Sequence, residues 1–164
     1  MSTEKYSRQT QCVPQNIRNK LLCLLGCGAV GRNIAIQLAS MGIGQVDIFD
    51  FDSVEEHNIV SQGFMISDIG KKKVDCIRQF CRNLNPDTKV VPHDDYWRPN
   101  MKIYDYVFLA ADDMNVRKNA ARYFHNRRKK TVLIDTRMRG EDVRIITTWD
   151  RASRQNYVNT LFSN

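Results

Sequence analysis

At 164 residues, with 42% hydrophobic and 26% charged side chains, the chain has the length of one domain with a sizeable core and the composition of an ordinary soluble protein. Cys12, Cys23, Cys27, Cys76 and Cys81 form no C-x-x-C pair, which argues against a disulfide framework and a zinc motif and for a reducing cytoplasm; the polar start and the lack of a long apolar run argue against a signal peptide or a membrane span. The net charge, 25 basic minus 18 acidic side chains or +7, suits an acidic partner such as a nucleotide or nucleic acid.

Residues 1–20 are polar and read as a mobile N-terminal arm, able to reach a neighbouring subunit. Leu21–Leu25 is short, apolar and ended by Gly26, the pattern of a buried parallel strand. Gly26, Gly28 and Gly31 then spell G-x-G-x-x-G. The first glycine permits a tight turn, the second lets a phosphate approach the backbone, and the third lets the next helix pack close to the strand. That helix, Gly31–Met41, aims its free N–H groups and positive dipole end at the phosphate, and Gly42 and Gly44 close it. Val46–Phe49 is a second strand. Asp50 at its end stands where an acid grips a ribose hydroxyl. The binding set is Gly26, Gly28, Ala29, Val30 and Gly31 of the turn, with Asp50, Asp52, Asn58 and Gln62 after the second strand. That density of polar groups exceeds what a dinucleotide site needs. Asp52 and Asn58 either reach a triphosphate or its metal, or cap the backbone of a solvated loop.

Val74, Ile77, Phe80 and Leu84 follow helical spacing, so Lys71–Leu84 is an amphipathic helix stopped by Asn85-Pro86. Three lysines at its start oppose the helix dipole and call for an anion, which makes them phosphate-binding candidates. Val90–Val91 is a short third strand, and Tyr96–Lys102 is a loop marked by prolines. Tyr104–Ala110 is a central buried strand expected beside the first, with Asp112 facing the glycine turn across the switch point. Asp112 is either a ligand or the cap of the following helix, Met114–Arg127; Asp113 reads as the cap. The basic run Arg127–Lys130 is a solvated helix end. Thr131–Ile134 is a further strand, Gly140 turns the chain, and Val143–Thr147 alternates as an antiparallel edge strand. Arg151–Asn164 reads as polar and irregular apart from Tyr157, Leu161 and Phe162. The fold class is α/β: a Rossmann-like doubly wound, mostly parallel sheet with helices on both faces. Its parts are an arm (1–20), a nucleotide-binding domain (21–150) and a tail (151–164).

Several motifs fall in a recognisable order. Tyr6-Ser7-Arg8-Gln9 is similar to an R-Y-x-R-Q arm. Asp50-Phe51-Asp52 with Val54, Asn58 and Gln62 is similar to D-x-D-x-V-x-x-x-N-x-x-x-Q. Lys73 takes the place of a helix-start lysine, Asp112 and Arg117 match D-N-x-x-x-R, and Arg137-Met138-Arg139-Gly140 matches R-M-x-G. On these residues the chain resembles the ThiF/MoeB/HesA branch of the ubiquitin-activating-enzyme superfamily, in a short form. The resemblance implies that ATP is bound, with Asp50 on the ribose, Asn58 and Lys73 on the phosphates, and Mg²⁺ on Asp112. Arg8 would reach across a homodimer into the partner's site, so the implied catalytic set is Arg8, Lys73 and Asp112. The implied activity is adenylation of the C-terminal carboxylate of a small ubiquitin-like, sulfur-carrier-like protein or peptide, with release of pyrophosphate. Nucleic acid is the less favoured partner, for no base-stacking platform is visible.

The chain departs from the family pattern in four ways. Ser61 stands where the family has Arg, with Lys71 and Lys72 as possible replacements for the lost charge. No cysteine follows Cys81, so a downstream thioester cysteine is absent. The paired C-x-x-C zinc motifs of many relatives are missing. The chain stops at Asn164, where relatives add strands. These departures leave open a second reading, a non-catalytic nucleotide-holding subunit of a larger activating complex, and a third, an NAD-dependent oxidoreductase supported only by the glycine turn and Asp50.

Overall fold

The structure is a computed structural model and describes residues 4–99, 102–125 and 131–161. Six strands form one sheet: β1 (Leu21–Leu25), β2 (Gln45–Phe49), β3 (Lys89–His93), β4 (Tyr106–Leu109), β5 (Val132–Arg139) and β6 (Asp142–Thr148). Their order is β3-β2-β1-β4-β5-β6, with every pairing parallel except β5–β6. The helices are α1 (Ala29–Met41), α2 (Asn58–Gln62), α3 (Lys73–Leu84), α4 (Met114–His125) and α5 (Arg151–Val158). The expected Rossmann-type sheet is present, and β6 is its antiparallel edge.

Alternation along β1 splits the core. Leu22 and Leu24 pack with Ala35 and Leu38 of α1 and Ile77 of α3; Cys23 and Leu25 face the other way, toward Ala121 and Phe124 of α4 and Tyr157 of α5. The interiors of β1 and β2 are thus covered on both faces, which is why these two strands read as continuous apolar runs. Cover is incomplete on the α1 side of β4–β6. There Met138 pairs with Val143 and Thr136 with Ile145, and Met138, Val143 and Ile145 are exposed. No helix among the described residues is long and apolar enough to cross a membrane.

Two segments differ from expectation. Residues 4–19, read as a mobile arm, form two 3₁₀ turns docked on the body. Tyr6 is buried, its hydroxyl accepts from Asn85 Nδ2 (2.8 Å), and Gln9 Nε2 donates to Ser40 O (3.0 Å). One aromatic ring with a hydroxyl handle ties the segment down, and isolated anchors carry no periodicity to read. Residues 151–158, read as irregular, are the helix α5. Asp150 caps it, accepting from Ser153 N (2.8 Å), and the Ser153 hydroxyl returns to the cap backbone. This capping box was the legible signal. Phe162 of the tail, Arg127 at the expected end of α4 and the run Arg127–Lys130 lie outside the described residues.

Candidate functional site

The strand order reverses on either side of β1, and a crevice of about 320 Å³ opens beyond the carboxyl ends of β1, β2 and β4. The glycine turn makes its floor. Gly26 sits at φ 94°, and a Cβ there would lie 2.5 Å from Ala111 N, so β1 and the β4–α4 loop touch only through a bare backbone. A Cβ on Gly31 would fall 1.9 Å from Gly26 O, which is the close helix–strand packing the spacing implied. Gly28 needs no unusual φ; its missing side chain leaves open space in front of α1, bounded by the Gln62 amide at 3.9 Å from a notional Cβ. No side chain caps α1, so the N–H groups of Ala29, Val30 and Gly31 have no acceptor within the helix. Val30 lines a separate apolar groove with Ile34 and Phe108 and does not line the crevice.

Asp50, at the end of β2, accepts from Cys27 N (2.7 Å) and Asp52 N (2.8 Å) and thereby locks the turn to the following loop. Burial pushes its carboxyl above the usual range, opposed by those two N–H bonds and by Lys73. That loop is bolted to the start of α3: Val54 N donates to Lys71 O (2.8 Å) and Lys73 N to Asp52 O (3.1 Å). Lys73 is only 5% exposed, lines the crevice, and its ammonium meets Asp52 Oδ2 at 2.8 Å. Lys71 pairs with Asp68 (3.5 Å), while Lys72 pairs with Asp94 (3.0 Å) and donates to Phe51 O. Neither lines the crevice. The Ser61 hydroxyl donates to His57 O, one turn back in its own segment.

On the far wall, Asp112 is exposed and lines the crevice, while Asp113 accepts from Asn115 N (2.7 Å) at the start of α4. Asp113 is therefore the cap, and it lines the crevice beside Asp112. Asn58 is buried; its Oδ1 accepts from Glu55 N (2.9 Å), and it does not line the crevice. Arg8 is exposed on the first 3₁₀ turn, whose anchors Ser40 and Gly42 lie where α1 ends and β2 begins. That is the opposite end of the sheet, so the chain does not bring Arg8 to its own crevice. The structure thus joins Gly26, Gly28, Ala29, Asp50, Asp52, Gln62, Lys73 and Asp112 in one place, and leaves Val30, Gly31, Asn58 and Arg8 off its lining. Burial pushes the Cys23 and Cys27 thiols well up, and Cys81 up to about 11, so none of the three is primed as a thiolate.

Two features escaped sequence reasoning. Under the floor, Arg117 pairs with Asp135 and donates to the carbonyls of Ala111 and Thr136; Asp135 also accepts from Arg137 Nε (2.8 Å) and the Tyr157 hydroxyl (3.0 Å). Arg117 and Arg137 were visible as motif positions, but the hub Asp135, fully buried in β5, was not. The second is an aromatic wall of Phe51, Tyr96 and Trp97 lining the crevice. Its signal was the Tyr96-Trp97 pair just beyond the end of β3.

The ThiF family matches residues 6–159. The adenylyltransferase and sulfurtransferase uba4 of Aspergillus clavatus is 32% identical over 123 residues, 67% of this chain and 25% of its own length. The tRNA threonylcarbamoyladenosine dehydratase of Escherichia coli K12 is 34% identical over 122 residues, 70% of this chain and 45% of its own length. The chain thus spans a quarter to under half of these relatives. The crystal structure of Escherichia coli MccB with ATP superposes with a TM-score of 0.70 at 22% identity, over 84% of this chain and 45% of that one, a likeness of fold.

Proposed function

We propose, because the chain belongs to the ThiF family, that it binds ATP in the crevice and adenylates a carboxylate, releasing pyrophosphate. The observation that carries this reading is the buried Lys73 ammonium facing a bare glycine turn, with the exposed carboxylate of Asp112 on the same crevice. A nicotinamide dinucleotide has no use for that pair, whereas a triphosphate and its metal do. The names of the relatives point the same way: uba4 is called an adenylyltransferase, and MccB holds ATP.

In the proposed reaction an oxygen of the acceptor carboxylate attacks the α-phosphorus, the bond to the β-phosphate oxygen breaks, pyrophosphate departs, and an acyl adenylate remains. A carboxylate is already ionised at pH 7, so no general base is needed, and catalysis reduces to positioning and charge neutralisation. The α1 amides and Lys73 bind the phosphates, Asp50 orients the ribose, and Arg8 of a second copy approaches from outside. Asp112 fits Mg²⁺, which takes one or two carboxylates plus phosphate oxygens; no cluster of three His, Cys, Asp or Glu that could cage a metal occurs among the described residues. When bound, the metal would neutralise charge on the phosphate oxygens. The acceptor is the C-terminus of a small ubiquitin-like, sulfur-carrier-like protein or peptide in the cytoplasm, and the acyl group is handed on without a thioester on this chain.

A second reading has a specific observation behind it. Ser61 bonds its own segment, and Lys71 and Lys72 are engaged elsewhere, so neither lysine replaces the family arginine in the crevice. That favours a nucleotide-holding subunit. Calorimetric titration with ATP and Mg²⁺, with NAD⁺ in parallel, followed by ATP–pyrophosphate exchange, separates the cases. Adenylation requires ATP binding and exchange that Asp112→Ala abolishes without unfolding the protein. Binding without exchange until a second polypeptide is added would establish the holding subunit, and binding of NAD⁺ alone would overturn both.

A further inference from the structure

The described residues that follow β3, 94–99 and 102–104, are anchored to the sheet and to α3. Asp94 pairs with Lys72, His93 stacks on Phe49 (4.2 Å, 5° between planes), and Lys102 and Tyr104 converge on buried Asp47 at 3.2 and 2.9 Å. Between these anchors Tyr96 and Trp97 line the crevice. Tyr96 stacks on Phe51 at 4.2 Å, and both rings remain about half exposed. Trp97 stacks on Phe124 and meets Tyr123 edge-on. Among the described residues its buried Nε1 has no acceptor, and Gln62 Oε1, at the glycine end of the same crevice, has no donor. A buried donor without a partner is costly, and indole N–H groups normally find one.

We propose that Trp97 is the base-recognising residue of this crevice. Its Nε1–H donates to a ring nitrogen of a purine, and the Phe51–Tyr96 pair supplies the stacking surface. This rests on the nucleotide reading above and adds its base specificity. A purine fits better than a pyrimidine because its larger ring covers more of an aromatic wall. Tyr96 and Trp97 lie outside the motifs that carry the family resemblance, and Phe51 fills a variable position of one.

The test uses the full chain and measures binding of ATP, its 1-deaza, 3-deaza and 7-deaza analogues, CTP and inorganic tripolyphosphate. Each deaza analogue lacks one ring acceptor. The wild type should bind one of the three roughly 3- to 10-fold more weakly than ATP. Trp97→Phe keeps a stacking ring and should weaken ATP by the same factor while binding that analogue no worse than ATP. A residue that only fills the core would weaken all the analogues alike, and that result would overturn the proposal. Tyr96→Ala, at an exposed position, should weaken ATP roughly fivefold or more and leave tripolyphosphate unchanged; equal loss of both, or CTP bound as tightly as ATP by the wild type, would also overturn it. ATP binding indifferent to Trp97→Phe would overturn this inference alone. A folded wild type that binds no nucleotide would overturn the nucleotide reading with it.

Discussion

The knot under the crevice floor and the crevice above it both bury charged side chains, and they differ in what is left over. In the knot, Arg117, Arg137 and Tyr157 all spend their polar groups on Asp135 or on nearby carbonyls. In the crevice, Lys73 pairs with the half-exposed Asp52, and Gln62 Oε1 and Trp97 Nε1 have no partner among the described residues. The bonds of the knot hold the backbone in place; in the proposal above, the unpartnered Trp97 Nε1 of the crevice meets a nucleotide base. The two regions share a boundary at Ala111, whose carbonyl is held by Arg117 and whose backbone leaves no room for a side chain at Gly26.

The comparison can be broken most severely at Asp135. Asp135→Ala leaves the buried Arg117 guanidinium uncompensated, which should cost about 3–5 kcal/mol of stability; an unchanged denaturation midpoint would remove the knot from its structural role. Gly31→Ala comes next. A methyl group 1.9 Å from Gly26 O forces α1 away from β1, and overpacking of this kind costs about 1–3 kcal/mol, so both melting temperature and ATP affinity should fall. Lys73→Met sharpens the contrast from the other side. Removing a buried ammonium and leaving Asp52 half in solvent should change stability by less than about 1 kcal/mol while pyrophosphate exchange disappears. Exchange that survives would dismiss Lys73 from the site. The smallest effect concerns pH. Burial raises the folded-state pKa of Asp50 above its unfolded value, so between those values the native state holds more protons and stability falls as pH rises. Melts of Asp50→Asn against wild type should show the difference shifting in favour of the variant upward from about pH 4. A shift in the opposite direction would contradict the burial argument.

What was legible in the sequence is what the backbone dictates locally. Glycines at Gly26 and Gly31 admit no side chain, so their spacing alone drew the turn, and the apolar runs on either side drew β1 and β2. The position of Asp50 followed from that geometry. Asp135, Tyr6 and Trp97 were not legible because their roles depend on partners far away in sequence: Asp135 on Arg117 and Tyr157, Tyr6 on Asn85, Trp97 on Phe124. A lone aspartate in a strand or a tyrosine in a polar arm leaves no periodic trace. Asn58 lies between these cases. Its position was readable as a motif, but that its oxygen caps the Glu55 amide required coordinates. Helix α5 is different again, since its capping box at Asp150 and Ser153 was present and went unread.

The adjacency of β1 and β4 sets the order in which the molecule can assemble. Strand β1 meets β2 through a short local crossover, but it meets β4 across a long loop; Leu21 N–H bonds Asp105 across 84 residues. Closing that loop costs entropy before any contact rewards it, and long-range parallel pairing is intrinsically slow. A nascent chain that has emerged as far as Thr88 therefore owns the glycine turn and Asp50 but no far wall. The crevice is a late product of folding, absent from any intermediate built on the first two strands. A nucleotide that needs both walls should accordingly slow unfolding and leave the folding rate unchanged.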